Sequence, residues 1–220
     1  MINFESVNIQ WLGHAGFLLT NSANQKVCID PFQVEGSSYD PVDIIISTHE
    51  HGDHCSLEDI NKYISPDTEV IGIAMAKEQL TTLNCKKVHF VEPGDNITVK
   101  GIEFNVVPAY NINKFRSEGV PFHPKEDKKI GVVVHMDGHK IYHAGDTDNI
   151  PEMNNIKPDV ALLPVSGTYV MTVPEALEAT KILQPKLVIP MHYGAIVGDQ
   201  SMAEKFKEMA NTSVEIPTKD

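Results

Sequence analysis

The chain has 220 residues, of which 41% are hydrophobic and 22% charged, a composition typical of a globular protein with a sizeable core. Its formal net charge of −12 disfavours nucleic acid and anionic membranes as partners, because both repel an acidic protein. No apolar stretch approaches the ~18 residues that span a bilayer, and Met1–Glu5 lacks the features of a secretory signal. The three cysteines are widely spaced without a CxxC pair, so the sequence predicts a cytoplasmic protein without a disulfide framework.

Short apolar segments bounded by turn residues alternate with helical patterns, which predicts one α/β domain over residues 1–220. The pair Asp137-Gly138 predicts a tight turn between two of the strands. Capping patterns at Ser56, Thr172 and Ser201 each predict the start of a helix. The predicted strands are, in chain order, Val7–Trp11, Phe17–Thr20, Val27–Ile29, Ile44–Thr48, Val70–Ile73, Ile97–Val99, Ile102–Val107, Gly131–His135, Lys140–His143, Val160–Leu163 and Leu187–Ile189.

A dense run of metal-binding residue types, His49–His54, follows directly on the buried-strand pattern. Residues two apart on an extended segment project to the same side, so His49 and His51 could reach one metal ion. Asp53 and His54 could then point to a second position, and two ions ~3.5–4 Å apart would result. A solvated polar loop is the ordinary alternative, but three histidines and an aspartate at this spacing favour metal binding.

Two further strand ends carry donors of the same kind. Asp146 follows the predicted strand at Lys140–His143, and His192 follows the one at Leu187–Ile189. Ligands in α/β proteins collect outside the carboxyl ends of strands, so these side chains are expected near the histidine run. Taken alone, Asp146 could cap a helix and His192 could be a packed core histidine. Together with the run, both favour a metal site.

The order of these motifs resembles the metallo-β-lactamase-fold superfamily of hydrolases over nearly the whole chain. The resemblance rests on Asp30-Pro31, the HxHxDH run at His49–His54, Ala144–Thr147 and Met191–Gly194. The segment Trp11–Phe17 is similar to the compact branch that includes ascorbate-phosphate lactonase-like zinc-dependent hydrolases. The resemblance implies an α/β fold, a four-layer αββα sandwich with a dinuclear site at one edge between the two sheets.

The resemblance also implies a role for each residue of the motifs. Zinc is the expected metal, as one or two ions, with Mn, Ni or Fe left open. A metal-bound hydroxide would be the nucleophile, and Asp53, if not fully engaged as a ligand, could assist proton transfer to the leaving group. In this scheme His49 and His51 bind the first metal, Asp53, His54 and His192 bind the second, Asp146 bridges them, and Asp30 orients a ligand imidazole.

One position departs from the superfamily pattern. The first metal usually has a third histidine, and the matching stretch Pro108–Asn111 has Asn111 in its place. An amide oxygen is a weak, hard donor that suits Mg or Mn better than zinc. Three outcomes stay open: Asn111 binds weakly, His123 takes the position, or the first position is partly empty.

The long loop from Tyr110 to Lys125 is a candidate lid or binding segment, and Tyr110 itself is a candidate site residue. Its cations Lys114 and Arg116 could hold a phosphate or carboxylate of the substrate, or simply be exposed. His14, between two glycines, could line the pocket or be a hydrogen-bonded core histidine.

The favoured function is hydrolysis of a small ester, lactone or phosphodiester, which makes a small molecule, anionic or neutral, the expected partner. An iron-dependent redox or oxygen-handling role is the alternative, and a non-catalytic metal-binding protein is another. A nuclease is disfavoured by the acidic charge. A homo-oligomer is compatible with the sequence, which does not decide it.

Overall fold

The computed structural model describes residues 1–219 and places two large sheets against each other. The first sheet has seven strands in sequential order, antiparallel up to the fourth strand and parallel from there on. Its strands are β1 (Ile2–Phe4), β2 (Val7–Gly13), β3 (Gly16–Thr20), β4 (Lys26–Ile29), β5 (Ile44–Ile46), β6 (Glu69–Gly72) and β7 (Lys87–Phe90).

The second half of the chain forms the other sheet and a small separate hairpin. In chain order the strands are β8 (Asn96–Val99), β9 (Ile102–Pro108), β10 (Phe115–Ser117), β11 (Val120–Pro121), β12 (Ile130–Met136), β13 (His139–His143), β14 (Val160–Pro164), β15 (Leu187–Met191) and β16 (Ser213–Val214). Strands β10 and β11 pair only with each other. The other seven form a sheet in the order β16-β15-β14-β13-β12-β9-β8, parallel from β13 to β16.

Helices cover the outer faces of both sheets. The α-helices are α1 (Leu57–Ile60), α2 (Lys77–Leu80), α3 (Val173–Leu183) and α4 (Gln200–Met209), and short 3₁₀ helices span Ala74–Ala76, Lys125–Asp127 and Pro151–Asn155. Helix α2 packs on β6, whereas α3 and α4 pack on β14 and β15. The predicted four-layer αββα sandwich is therefore confirmed. Within residues 1–219, no helix has both the length and the apolar character needed to cross a bilayer.

Two of the three predicted helix starts are confirmed. Ser56 accepts a backbone hydrogen bond at the start of α1, and Thr172 forms a complete capping box at the start of α3. The prediction for Ser201 is wrong. Asp199 caps α4 by accepting the N–H of Ser201, because the longer carboxylate side chain already reaches the first free donors of the helix.

The predicted hairpin turn is confirmed between β12 and β13. Asp137 and Gly138 both have positive φ angles, 50° and 81°, as a two-residue turn of the mirror-image type requires. Such a turn matches the right-handed twist of the two strands that it joins, so the Asp-Gly pair fixes the register of the hairpin.

The two sheets are joined by polar links as well as by the apolar core between them. The fully buried His143 on β13 reaches the carbonyl of Ala15 with its Nε2, at 2.8 Å, and accepts the N–H of Gly145 on its Nδ1. Burial lowers the pKa of His143, so the imidazole is neutral. Nearer the histidine run, the N–H of His192 donates to the carbonyl of His14 at 2.9 Å. These links bring the carboxyl ends of β4, β5, β13 and β15 to one edge of the sandwich.

Candidate metal centre

A first cluster of three imidazoles lies at this edge of the sandwich. The candidate ligand atoms of His49, His51 and His123 all lie within 4.8 Å of one another. Nε2 of His49 is 3.2 Å from Nδ1 of His51, so these two nitrogens converge on one point, as their spacing on an extended segment predicted. We call these three residues the first cluster.

A second cluster lies beside the first. It consists of His14, Asp53, His54 and His192, whose candidate ligand atoms again lie within 4.8 Å of one another. Oδ2 of Asp53 is 3.1 Å from Nε2 of His14 and 3.5 Å from Nε2 of His54. His14 thus contacts Asp53 directly and lies within the second cluster. The strand pattern around it could not show this, because the group forms through tertiary contacts.

Asp146 lies between the two clusters. Its Oδ1 is 3.2 Å from Nε2 of His54, and its Oδ2 is 3.2 Å from Nε2 of His192. On the other side, Oδ2 is 3.5 Å from Nε2 of His123 and 3.9 Å from Nε2 of His49. This is the placement that a carboxylate shared by two metal ions would need.

Unpaired buried atoms indicate that the donors fit a metal. Nε2 of His54, Nε2 of His192 and Oδ1 of Asp146 are buried and have no hydrogen-bond partner within the part of the chain that the structure describes. A buried polar atom without a partner is unfavourable by about 1–3 kcal/mol, so three that converge would be a large penalty for a purely structural cluster. A cation bound by all three atoms would remove this energetic penalty.

The electrostatics of the first cluster favour the neutral imidazoles that a metal requires. Burial, together with neighbouring cations, lowers the pKa of His49 and His51, and burial lowers that of His123 to about 4. Asp146 behaves in the opposite way. Although burial raises its pKa, His192 and His54 outweigh that effect and hold the pKa well below its usual range, so the carboxylate is ionised.

Several hydrogen bonds orient the second cluster from outside. Oδ2 of Asp30 lies 2.7 Å from Nδ1 of His54, which directs Nε2 of that ring towards Asp146. Thr48 donates both its N–H and its hydroxyl to Asp30, at 2.8 and 2.6 Å, and this fixes the carboxylate. Oγ of Ser166 lies 3.0 Å from Nδ1 of His192. Thr48 and Ser166 were not predicted in this role, since an isolated hydroxyl residue has no pattern of its own.

The structure places Asn111 and His123 differently with respect to the first cluster. Oδ1 of Asn111 accepts the N–H of His123 at 2.9 Å, and Nδ2 donates to the carbonyl of Tyr169 at 2.8 Å. Both ends of the amide are therefore engaged by the protein. The imidazole of His123 lies in the first cluster. Asn111 thus holds the segment that carries His123, and this placement favours His123 over Asn111 as a donor to the first position.

An ion pair between the buried Lys129 and Glu50, next to His51, was not predicted from the sequence. Lys129 is 2% exposed and donates to Oε1 of Glu50, while Nε2 of Gln79 on α2 donates to the carbonyl of Glu50 at 2.9 Å. Because Glu50 lies between His49 and His51, these contacts fix the backbone that carries both. No sequence pattern marks a single lysine before a strand.

Two residues predicted as substrate contacts are engaged elsewhere. The hydroxyl of Tyr110 donates to Glu152 at 2.9 Å. Nζ of Lys114 lies 2.8 Å from Glu175 and 3.0 Å from Asp148, because the loop folds back on the start of α3. Their opposite charges neutralise Lys114. It is therefore a residue that anchors the loop, and its neighbour Arg116 is the loop cation that lines the cavity beside the clusters.

This anchor gives a pH-dependent prediction. Burial raises the pKa of Glu175, but hydrogen bonds from Lys114, Asn113 and Thr172 outweigh it and lower the pKa to about 2, from 4.5. A carboxyl whose folded pKa is depressed stabilises the fold above its unfolded pKa and loses that effect as the pH falls through the folded value. Glu175→Gln should therefore lower the free energy of unfolding by about 2 kcal/mol at pH 7, after allowance for solvent screening, and by much less at pH 3.

Urea denaturation at the two pH values measures this difference. The control is Glu178→Gln on the same helix, where the ion pair with Lys181 is exposed. This substitution should change the free energy of unfolding by no more than about 0.5 kcal/mol. A Glu175→Gln effect that is equal at pH 7 and pH 3 would contradict the assignment.

Comparison with known proteins agrees with this geometry. The model of the β-lactamase superfamily domain matches residues 8–192. The chain belongs to the metallo-β-lactamase superfamily. A relative of this superfamily member in Methanoculleus marisnigri, named a UPF0173 metal-dependent hydrolase, is 35% identical over 217 residues, covering 96% of this chain and 91% of the relative.

Solved structures are similar to this superfamily member over almost its whole length. One from Parabacteroides distasonis has a TM-score of 0.80 and 32% identity, and covers 96% of this chain and 92% of that one. Another, a metallo hydrolase from Ignicoccus hospitalis, has a TM-score of 0.73 and 26% identity, with 96% and 94% covered. The two donor clusters thus lie in a metallo-β-lactamase fold that relatives share from end to end.

Proposed function

We propose that this superfamily member hydrolyses a small ester, lactone or phosphodiester at a centre of one or two metal ions, with zinc as the expected metal. Relatives that match more than nine-tenths of its length are named metal-dependent hydrolases, which supports the general activity. The observation that carries the proposal is the pair of donor clusters that share Asp146, with converging buried atoms that lack a hydrogen-bond partner.

The residues of each cluster have distinct tasks in this proposal. His49, His51 and His123 would hold one ion, and Asp53, His54 and His192 the other, with Asp146 shared between them. When bound, the metal supplies a lowered pKa for the attacking water and polarisation of the bond under attack. Asp30 would hold the ring of His54 in its ligating orientation by accepting the proton of Nδ1.

Asp53 is the proposed proton carrier. Its carboxylate lines the cavity beside the clusters, and with its proton on Nε2 the imidazole of His14 donates to it at 3.1 Å. Burial raises the pKa of Asp53, but His14 and His54 outweigh it and keep the pKa low, so the group is ionised. Where it is not fully engaged as a metal ligand, Asp53 would assist transfer of a proton from the attacking water to the leaving group.

The donor types favour zinc, nickel or iron over magnesium and calcium. With His123 rather than Asn111 in the first cluster, that position has three imidazoles besides the shared Asp146. Imidazole suits Zn, Ni or Fe, whereas Mg and Ca prefer oxygen donors. The histidine-rich set therefore supports a borderline metal at the first position.

The test uses metal-free protein reconstituted separately with Zn, Mn, Ni or Fe(II) and assayed on a lactone, a phosphodiester and a thioester. We expect hydrolysis of at least one substrate by the zinc form, loss with a chelator, and recovery when zinc is returned. No hydrolysis by any form would overturn the proposal. Oxygen consumption by the iron form without hydrolysis would instead support the redox alternative.

A further inference from the structure

The cavity beside the clusters has two unlike walls. Its volume is about 350 Å³, at the small end of the range for ligand sites. One wall carries metal-binding side chains of both clusters and Asp146. The other wall consists of Arg116, which lies on β10, and of Phe122, Tyr169 and Ile196. We call these four residues the outer wall.

The outer wall presents apolar surface to the cavity. The rings of Phe122 and Tyr169 meet edge to face with centroids 4.6 Å apart, and Tyr169 and Ile196 are 39% and 53% exposed. Large apolar side chains left exposed in a concave site indicate a ligand group that covers them.

The backbone of Tyr169 is held in an unfavourable conformation. Its φ angle is 67°, which is rare for a bulky residue and is unfavourable by roughly 1–3 kcal/mol. Nδ2 of Asn111 donates to its carbonyl at 2.8 Å. The same amide holds His123, so Asn111 fixes the distance between the first cluster and the aromatic part of the outer wall.

Arg116 supplies the charge of the outer wall. Its guanidinium donates to the carbonyl of Phe122 at 3.0 Å and forms no ion pair with any residue between 1 and 219. The neighbouring cations Lys114 and Lys125 are both paired with glutamates. The chain has a net charge of −12, yet this arginine beside the cavity forms no ion pair with a carboxylate of the described residues. Its guanidinium is therefore available to bind an anionic ligand. Its remaining donors suit the paired oxygens of an oxyanion.

We propose that the substrate is a small ester or lactone with one oxyanion, a carboxylate or phosphate, bound by Arg116 and one aromatic or branched apolar group packed on Phe122 and Tyr169. This inference rests on the proposed hydrolase function and narrows its class of substrate. Arg116 and the rings hold the substrate at one side of the cavity, and the scissile bond then faces Asp53 and Asp146 on the other.

Binding of small probes tests the proposal without turnover. The probes are phenylacetate, its neutral isostere phenylacetamide, and acetate, titrated calorimetrically into metal-free and zinc-loaded protein. We expect metal-free protein to bind phenylacetate at least about tenfold more tightly than phenylacetamide. The reason is that a hydrogen bond from Arg116 to a charged acceptor strengthens binding by about this factor over one to a neutral acceptor. Phenyl phosphate serves as the second oxyanion, and the tighter of the two charged probes assigns the oxyanion class.

Matched variants separate the charged part of the outer wall from its aromatic part. Arg116→Gln should abolish the preference for phenylacetate over phenylacetamide, whereas Lys125→Gln, which removes a paired cation of the same loop, should keep it. Tyr169→Ala should weaken both aromatic probes by about fivefold and leave acetate unchanged. Unchanged phenylacetate binding by Arg116→Gln would place the anion elsewhere, and equal binding of the charged and neutral probes would also overturn the proposal.

The outcomes separate this inference from the proposed function. If the charged probe is preferred through Arg116 but no substrate is hydrolysed by any metal form, the hydrolase proposal fails and the ligand class stands. If hydrolysis occurs but Arg116→Gln leaves kcat/KM for anionic and neutral phenyl esters in the same ratio as the wild type, the inference fails and the function stands.

Discussion

Asp146→Ala should remove most of the bound metal and lower kcat/KM for any hydrolysed substrate by at least about 10³-fold. Among residues 1–219, Asp146 is the one carboxylate within 4 Å of histidines from both clusters, so its loss weakens both positions together. The loss of several kcal/mol of charge stabilisation corresponds to this factor. Elemental analysis of the purified variant and steady-state kinetics measure the two effects.

The control for this substitution is Asp59→Ala. Asp59 is also a buried carboxylate, but its partners are Ser56, Lys62 and the backbone of residues 33 and 34, outside both clusters. This variant should lose stability and keep its metal. If Asp146→Ala retains the wild-type metal content, Asp146 does not hold the centre together.

His123→Ala should lower the metal content by about one ion per chain and leave the second position filled. The first cluster would keep only His49 and His51, and two imidazoles with water bind more weakly than three. Asn111→His, in contrast, should not raise the metal content, because the side chain at this position faces the backbone of His123 and Tyr169. Metal titration followed by elemental analysis measures both variants.

Two further variants serve as comparisons for this prediction. Asn111→Ala should weaken the first position by about tenfold, the size expected when the support of a ligand is removed. His89→Ala, which loses a half-buried imidazole paired with Glu69, should leave metal binding unchanged. If Asn111→His fills the first position better than the wild type and His123→Ala changes nothing, the third ligand belongs at residue 111.

Most of the sheet structure could be predicted because buried strands have a strong apolar pattern. Strands such as β5 and β14 are buried at every residue, and both were predicted from their sequences. The missed strands have little or no buried face. Strand β7 begins with an exposed lysine at a sheet edge, and β10 is exposed throughout, so neither has the periodicity that sequence analysis depends on.

The candidate site was predictable only where its residues follow strands directly. The run His49–His54, Asp146 and His192 could be placed together by this rule. The position of His123 could not, because it depends on a loop whose path is set by the hydrogen bonds between Asn111 and His123. The support that Lys129 and Thr48 give is likewise visible only in three dimensions. The single-domain assignment and the cytoplasmic location stay predictions.

The two clusters should form one metal centre with two positions. Calorimetric titration of metal-free wild-type protein with zinc, checked by elemental analysis after dialysis, measures the number of ions bound. We expect two equivalents per chain with release of protons, since Asp146 and Asp30 outweigh the effect of burial and hold the pKa of His54 well above its usual range. Binding of at most one equivalent of zinc, and likewise of Mn, Ni or Fe, would contradict a centre with two positions.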